Sequence, residues 1–249
     1  MPPAIKRYNH LSKPSNKEDQ FAKLGLHDSF CSSLKRLGFE APTEIQSIAI
    51  PKIFSGKDIL ATAQTGTGKT AAFGLPLLQK ITSKQLPPSA PRSPRSLILA
   101  PTRELALQIL DDLESFSANS KILFSCVIGG INQNPQIRKN SRGVDVLVAA
   151  PGRLLDLINQ GHIRLNHTEF LVLEECDRLL DMGFLPDVKR IIKTMSKKRQ
   201  SLLFSATIPA AVKQFAKEIL SNPDRIDIAP VNIAAPKIKQ YSYRVTSAQ

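Results

Sequence analysis

Short runs of almost unbroken apolarity recur along the chain: "DILATA", "SLILAP", "LFSCVIGG", "VDVLVAAP", "FLVLEE", "SLLFSAT" and "RIDIAP". Continuous apolarity over so few residues marks strands buried on both faces, because a half-exposed strand alternates and a buried helix runs longer. Between the runs, "TRELALQILDDLESF" and "IPAAVKQFAKEIL" carry helical periodicity, the second opening with Pro209 just after Thr207. Strands alternating with helices predict an α/β fold with a mostly parallel central sheet and helices on both faces. The 249 residues suffice for one large domain or two small ones. "SKQLPPSAPRSPR", residues 83–95, reads as a Pro-rich surface loop and "SKKRQ" as a basic turn.

Composition narrows the function classes. Apolar residues at 42% and charged residues at 22% are ordinary for a globular protein. The 34 basic against 21 acidic residues give +13, which favours phosphate-bearing partners: RNA, DNA or an anionic membrane surface. No apolar run approaches the roughly 18 residues a membrane helix needs. The first twenty residues lack the apolar core of a secretory signal, so residues 1–20 are expected to form a flexible polar tail and the protein to be cytoplasmic. Cys31, Cys126 and Cys176 have neither metal-ligand nor redox-pair spacing and read as reduced thiols.

Position is more informative than composition. In open α/β sheets, ligands bind beyond the carboxyl ends of the strands. The unusual polar clusters fall there: "TGTGKT" after "DILATA", "PTRE" after "LILA", "PGR" after "VLVAA", "EECD" after "FLVL" and "SAT" after "SLLF". "AQTGTGKT", residues 63–70, has the form of a phosphate-binding loop. Thr65 to Gly68 supply backbone amides through Thr65, Gly66, Thr67 and Gly68, Lys69 neutralises the β- and γ-phosphates, and Thr70 offers a hydroxyl to Mg²⁺. Ala63 stands where the common pattern has Gly, which the turn tolerates if its φ stays negative. "EECD" can divide two tasks, holding hydrated Mg²⁺ and deprotonating the attacking water.

The ordered set "GFEAPTEIQ", "AQTGTGKT", "PTRELALQ", "GG", "APGR", "EECD" and "SAT" resembles the DEAD-box RNA helicases. "RLLDMGF" and "LLFSAT" look most like the bacterial RhlE-type branch. The resemblance implies a RecA-like P-loop NTPase domain over residues 21–240. Residues 241–249 would begin the linker to a second RecA-like domain. It implies ATP and Mg²⁺ as cofactors, RNA as partner, RNA-stimulated ATP hydrolysis coupled to local duplex unwinding, no membrane, and a monomer. By resemblance, Gln46 reads the adenine edge and Phe21 stacks near the base. Lys69, Glu174 and Glu175 are catalytic, and Thr70 and Glu174 hold the metal through water. Asp177, Ser205 and Thr207 relay nucleotide state to RNA. Pro101, Thr102, Arg103, Gly129, Gly130, Gly152 and Arg153 contact the RNA backbone, with little sequence preference.

The chain departs from the family pattern at three positions. Glu174 replaces the first Asp of the name-giving motif, Cys176 replaces Ala, and Ala150 replaces the Thr before "PGR". Cys176 is a small apolar exchange, and Ala150 removes a hydroxyl that could touch RNA or cap a helix. Glu174 moves a carboxylate by roughly 1 Å, a displacement that can cost on the order of 100-fold in a positioned reaction. The arginines of a second domain would add roughly 10³-fold or more, so the chain alone is expected to hydrolyse ATP weakly. The alternative is a nucleotide- and RNA-binding module with weak or no turnover.

Overall fold

A computed structural model describes residues 19–85, 89–117, 120–228 and Tyr241. The strands fall on the apolar runs: β1 (Ile59–Thr62), β2 (Ser96–Leu99), β3 (Phe124–Val127), β4 (Val146–Ala149), β5 (Phe170–Leu173), β6 (Gln200–Ser205) and β7 (Asp224–Asp227). They form one seven-stranded sheet in the order β3-β4-β2-β5-β6-β1-β7. Every neighbouring pair is parallel.

The helices between them are α1 (Gln20–Lys23), α2 (Asp28–Arg36), α3 (Glu44–Phe54), α4 (Lys69–Thr82), α5 (Arg103–Phe116), α6 (Gln133–Ser141), α7 (Pro151–Asn159), α8 (Cys176–Asp181), α9 (Leu185–Lys193) and α10 (Ala210–Ile219). Strand alternation divides the core in two. Ile98, Val148, Val172 and Phe204 point to a layer built with α1 to α5, and Leu97, Leu147, Leu171 and Leu203 to a layer built with α7 to α10. Both faces of the central strands are therefore dry, which is why their sequences show no alternation. The fold is α/β and RecA-like, with the sheet parallel throughout the described residues.

Two boundaries differ from the sequence reading. Residues 1–18 of the polar tail lie outside the described residues, but Asp19 and Gln20 belong to the domain. The Asp19 carboxylate accepts the Phe21 amide at 3.0 Å and caps α1. Of the expected linker only Tyr241 is described. The loop at 83–95 is not wholly superficial, since Ser93, Pro94 and Arg95 are buried. Thr168 donates its hydroxyl to the Pro94 carbonyl at 2.7 Å, and Arg95 pairs with Asp145 at 3.1 Å.

Ala150 is the N-cap of α7 and supplies no side-chain hydrogen bond there. Its backbone is extended (φ −89°, ψ 138°), a conformation Thr adopts readily. Ala150→Thr is expected to stabilise the domain by about 0.5–2 kcal/mol, read as a higher denaturation midpoint.

Candidate nucleotide and RNA site

Because the strands are parallel, all their carboxyl ends meet at one edge, and the strand order sorts the motifs along it. The "GG", "PGR" and "PTRE" segments follow β3, β4 and β2, which are adjacent. The "EECD", "SAT" and phosphate-loop segments follow β5, β6 and β1, also adjacent. One half of the edge carries the candidate RNA contacts and the other the candidate nucleotide contacts. "EECD" stands at their junction.

In the nucleotide half, Lys69 opens α4 yet is only 5% exposed. Its ammonium donates to the Ala63 carbonyl at 3.1 Å and lies 3.4 Å from Glu174 Oε1. Ala63 keeps a negative φ, so the loop closes without glycine at that position. Gly68 has φ +89°, and a Cβ there would strike the Gln46 amide. Gln46 is itself fully buried, accepting from the Thr43 amide at 3.0 Å and donating to the Gly68 carbonyl at 3.1 Å. It thus ties α3 to the phosphate loop and is closed to solvent in this conformation. Thr65 and Gly66 are exposed, and the Thr67 hydroxyl donates to Gln64 O at 2.8 Å.

Glu174 is 4% exposed and its Oε2 has no hydrogen-bond partner. Burial pushes its carboxyl up to about 7, with Lys69 opposing and Glu175 and Asp177 adding to the rise. A buried orphan oxygen beside the phosphate loop fits a cation or its water. The described residues contain no cluster of three acid, His or Cys side chains able to hold a metal alone. The donor set therefore suits Mg²⁺, which keeps several waters and takes its remaining ligands from phosphates. Thr70 and Glu174 would hold it. The Thr70 side chain also interacts with Asp112 of α5, a carboxyl that burial raises and Thr70 lowers.

Glu175 has φ +50° and ψ 55°, a left-handed conformation that a non-glycine residue rarely adopts. Such strain, about 1–3 kcal/mol, collects at functional positions. The turn directs Glu174 inward and sets Glu175 at the start of α8, where Arg178 approaches its carboxylate at 3.4 Å. Asp177 is the hub of a hydrogen-bond cluster. Its Oδ2 accepts from the Thr207 amide at 2.9 Å and hydroxyl at 2.8 Å, and its own amide donates to Ser205 Oγ at 3.0 Å. Burial alone would raise its pKa, but these donors hold it below the ordinary carboxylate value.

In the other half, a depression of about 360 Å³ is lined by Pro101, Thr102, Arg103, Gly129, Gly152 and Arg153. Arg103 donates to the Gly129 carbonyl at 3.1 Å and Arg153 to Ile131 O at 3.1 Å. Gly130 has φ +76°, and a Cβ there would displace the Arg103 guanidinium. The Thr102 hydroxyl caps α5 by accepting the Leu105 amide at 3.2 Å. Met182 and Phe184 also line the depression, which sequence reasoning missed. The exposure of Met182, at 48%, is a tertiary fact with no local signature.

Phe21 is placed differently from the expectation. It is 2% exposed within the core layer, so no ring face is open to a base in this conformation. Cys126 and Cys176 are pushed by burial to about 11 and about 12, which keeps them as inert thiols.

A model of the DEAD/DEAH box helicase family matches residues 43–215. The chain belongs to that family. It is 41% identical over 225 residues to the RNA helicase CrhR of Synechocystis, covering 90% of this chain and 44% of that protein. To the ATP-dependent RNA helicase CshA of Listeria monocytogenes it is 40% identical over 226 residues, covering 91% and 42%. To the ATP-dependent RNA helicase dbp2 of Emericella nidulans it is 42% identical over 218 residues, covering 87% and 38%. A crystal structure of a DEAD box protein from Methanococcus jannaschii superposes with TM-score 0.76 at 35% identity, covering 84% of this chain and 55% of that one. The chain spans less than half the length of these curated relatives. No helix among the described residues is long and apolar enough to cross a membrane.

Glu174 predicts a pH dependence in the absence of nucleotide and metal. Its pKa is raised from 4.5 to about 7, so between those values the folded state holds a proton that the unfolded state has lost. Its contribution is fully favourable below pH 4.5 and declines as pH rises to about 7. Denaturant titrations across that window are expected to show this fall, flattened by one proton's worth of slope in Glu174→Gln.

Proposed function

We propose that this chain is the ATP-binding half of an ATP-dependent RNA helicase, in which RNA-stimulated ATP hydrolysis drives local duplex unwinding with a second RecA-like domain. The observation that carries the reading is the division of one sheet edge. The Lys69–Glu174 pair and the Asp177–Thr207 contacts lie on one side and the Arg103–Gly129 and Arg153–Ile131 contacts on the other. The "EECD" segment is continuous with both. Glu174 faces Lys69 of the phosphate side, Glu175 follows it at the start of α8, and α8 leads directly to Met182 and Phe184 in the depression.

Each residue then has a task its surroundings allow. The loop amides and Lys69 receive the phosphates, and Gln46 reads the base. Bound Mg²⁺ would neutralise charge developing on the β- and γ-phosphates. Glu175 orients the attacking water and takes its proton. Asp177 reports the nucleotide state to Thr207 and Ser205. The free N–H groups of Arg103 and Arg153 and the glycine amides meet RNA phosphates, and the second domain supplies arginines at the γ-phosphate. The protein acts in the cytoplasm as a monomer.

A second reading, a nucleotide- and RNA-binding module with little turnover, is favoured by one observation. Glu174 stands where the family has Asp, and one of its oxygens is committed to Lys69 while the other has no partner. RNA-stimulated ATP hydrolysis by this chain joined to a second RecA-like domain separates the two. Turnover by the native sequence, lowered about 10²–10⁴-fold by Glu175→Gln, supports the enzyme. Turnover that appears only with Glu174→Asp supports the binding module.

A further inference from the structure

We infer that the opposite, amino-terminal edge of the sheet is a second RNA-contacting surface that binds the phosphate backbone; this rests on the RNA reading above. In spatial order from β3 across to β1, every strand is preceded by a turn bearing an exposed cation. These are Lys121 before β3, Arg142 before β4, Arg92 before β2, Arg164 before β5, Lys198 before β6 and Lys57 before β1. With strands about 4.8 Å apart, the row extends for about 24 Å. The cations stand two to six residues before their strands, so a polyanion lying along the edge passes a cation-bearing turn at each strand.

Three features set this row apart from an ordinary solvated surface. First, two of its acids, Asp58 and Asp145, are committed to internal partners. Asp58 accepts the Ser201 and Ser221 amides, each at 2.7 Å, and Asp145 pairs with Arg95 while accepting the Leu123 amide at 2.9 Å. Glu169 is half-buried, and Asp224, at the β7 end, is paired with Lys52. Second, none of the six exposed cations forms an ion pair among the described residues. Third, the turns before β2, β5, β6 and β1 are bonded to one another, which holds the backbone that carries four of the cations. The Arg164 amide donates to Arg92 O at 2.8 Å, Glu169 N to Arg95 O at 3.1 Å, Gln200 N to Glu169 O at 2.9 Å, and Gln200 Nε2 to Lys57 O at 2.6 Å.

A row of exposed cations along one sheet edge suits a repeating phosphate backbone, and a cavity of about 840 Å³ opens beside Lys121 at its β3 end. The carboxyl edge mixes its cations with Glu104, Glu174, Glu175, Asp177 and Asp181. The amino-terminal row carries no such acids among its six exposed cations. RNA engaged by the groove could continue onto this edge, or a second segment could be held there.

The test measures binding of unstructured single-stranded RNA by this chain across a salt series. It compares a Lys121→Gln, Arg142→Gln, Arg164→Gln, Lys198→Gln variant with an Arg103→Gln, Arg153→Gln groove variant. Thermal melting checks that both fold. The edge variant is expected to lose at least about tenfold in affinity and roughly 2–3 units of salt slope, with ATP binding unchanged. Parental affinity and slope in the edge variant, with loss only in the groove variant, would overturn the inference and leave the helicase reading intact. Absence of RNA binding by the parent would overturn both. A poly-glutamate peptide that binds the parent but not the edge variant, while RNA binding stays equal, would reassign the surface to an acidic protein.

Discussion

A buried ammonium held between two strand ends organises the phosphate side of this domain. Lys69 reaches the Ala63 carbonyl beyond β1 and the Glu174 carboxylate beyond β5, spanning the end of β6. There the Ala63 amide donates to Ser205 O and Ser205 Oγ accepts from Asp177 N. Charges so dehydrated are costly unless fully compensated. Compensation here is partial, since Glu174 is raised toward neutrality and keeps one oxygen without a partner. The pair holds the site open in the shape that phosphate and a hydrated cation would complete.

The parallel sheet converts this local chemistry into a coupled device. β5 sits between β2, which leads to Arg103, and β6, which leads to Thr207. The segment after β5 therefore lies between the Arg103 and Thr207 segments. Glu175 makes that segment turn sharply through a left-handed residue. Asp177 then fastens it to the strand beside it through three hydrogen bonds. The depression beyond Arg103 and Arg153 shares its wall with Met182 and Phe184 from the same stretch of chain, so the candidate RNA contacts adjoin the element that carries the candidate catalytic acids.

Much of this is legible in the sequence because burial on both faces leaves a continuous apolar trace. "FLVL" has Phe170 and Val172 in one core layer and Leu171 and Leu173 in the other, and no other element of that length could read so. The α6 helix is illegible for the opposite reason. "QNPQIRKNS" has no apolar stripe and docks through amides: Gln136 exchanges hydrogen bonds with the Ile128 backbone, and Asn140 donates to Ser125 Oγ at 2.9 Å. Strand order leaves no local signature either, so the separation of phosphate motifs from RNA motifs emerges only in three dimensions. Phe21, assigned to the base by resemblance, packs in the core layer of this structure. Of the two roles the sequence left open for the hydroxyl missing at Ala150, RNA contact or helix cap, the structure shows the second position, the N-cap of α7.

The most direct test of the account is calorimetric titration of the chain with Mg·ATP near neutral pH, in buffers of differing ionisation enthalpy. Binding that converts Glu174 to its charged form should release a proton. The expected result is saturable binding with net proton release, which disappears in Glu174→Gln, and strong weakening of binding in Lys69→Ala. Equal binding by the Lys69→Ala variant, or no binding by the parent, would contradict the claim that this buried pair is the core of a nucleotide site.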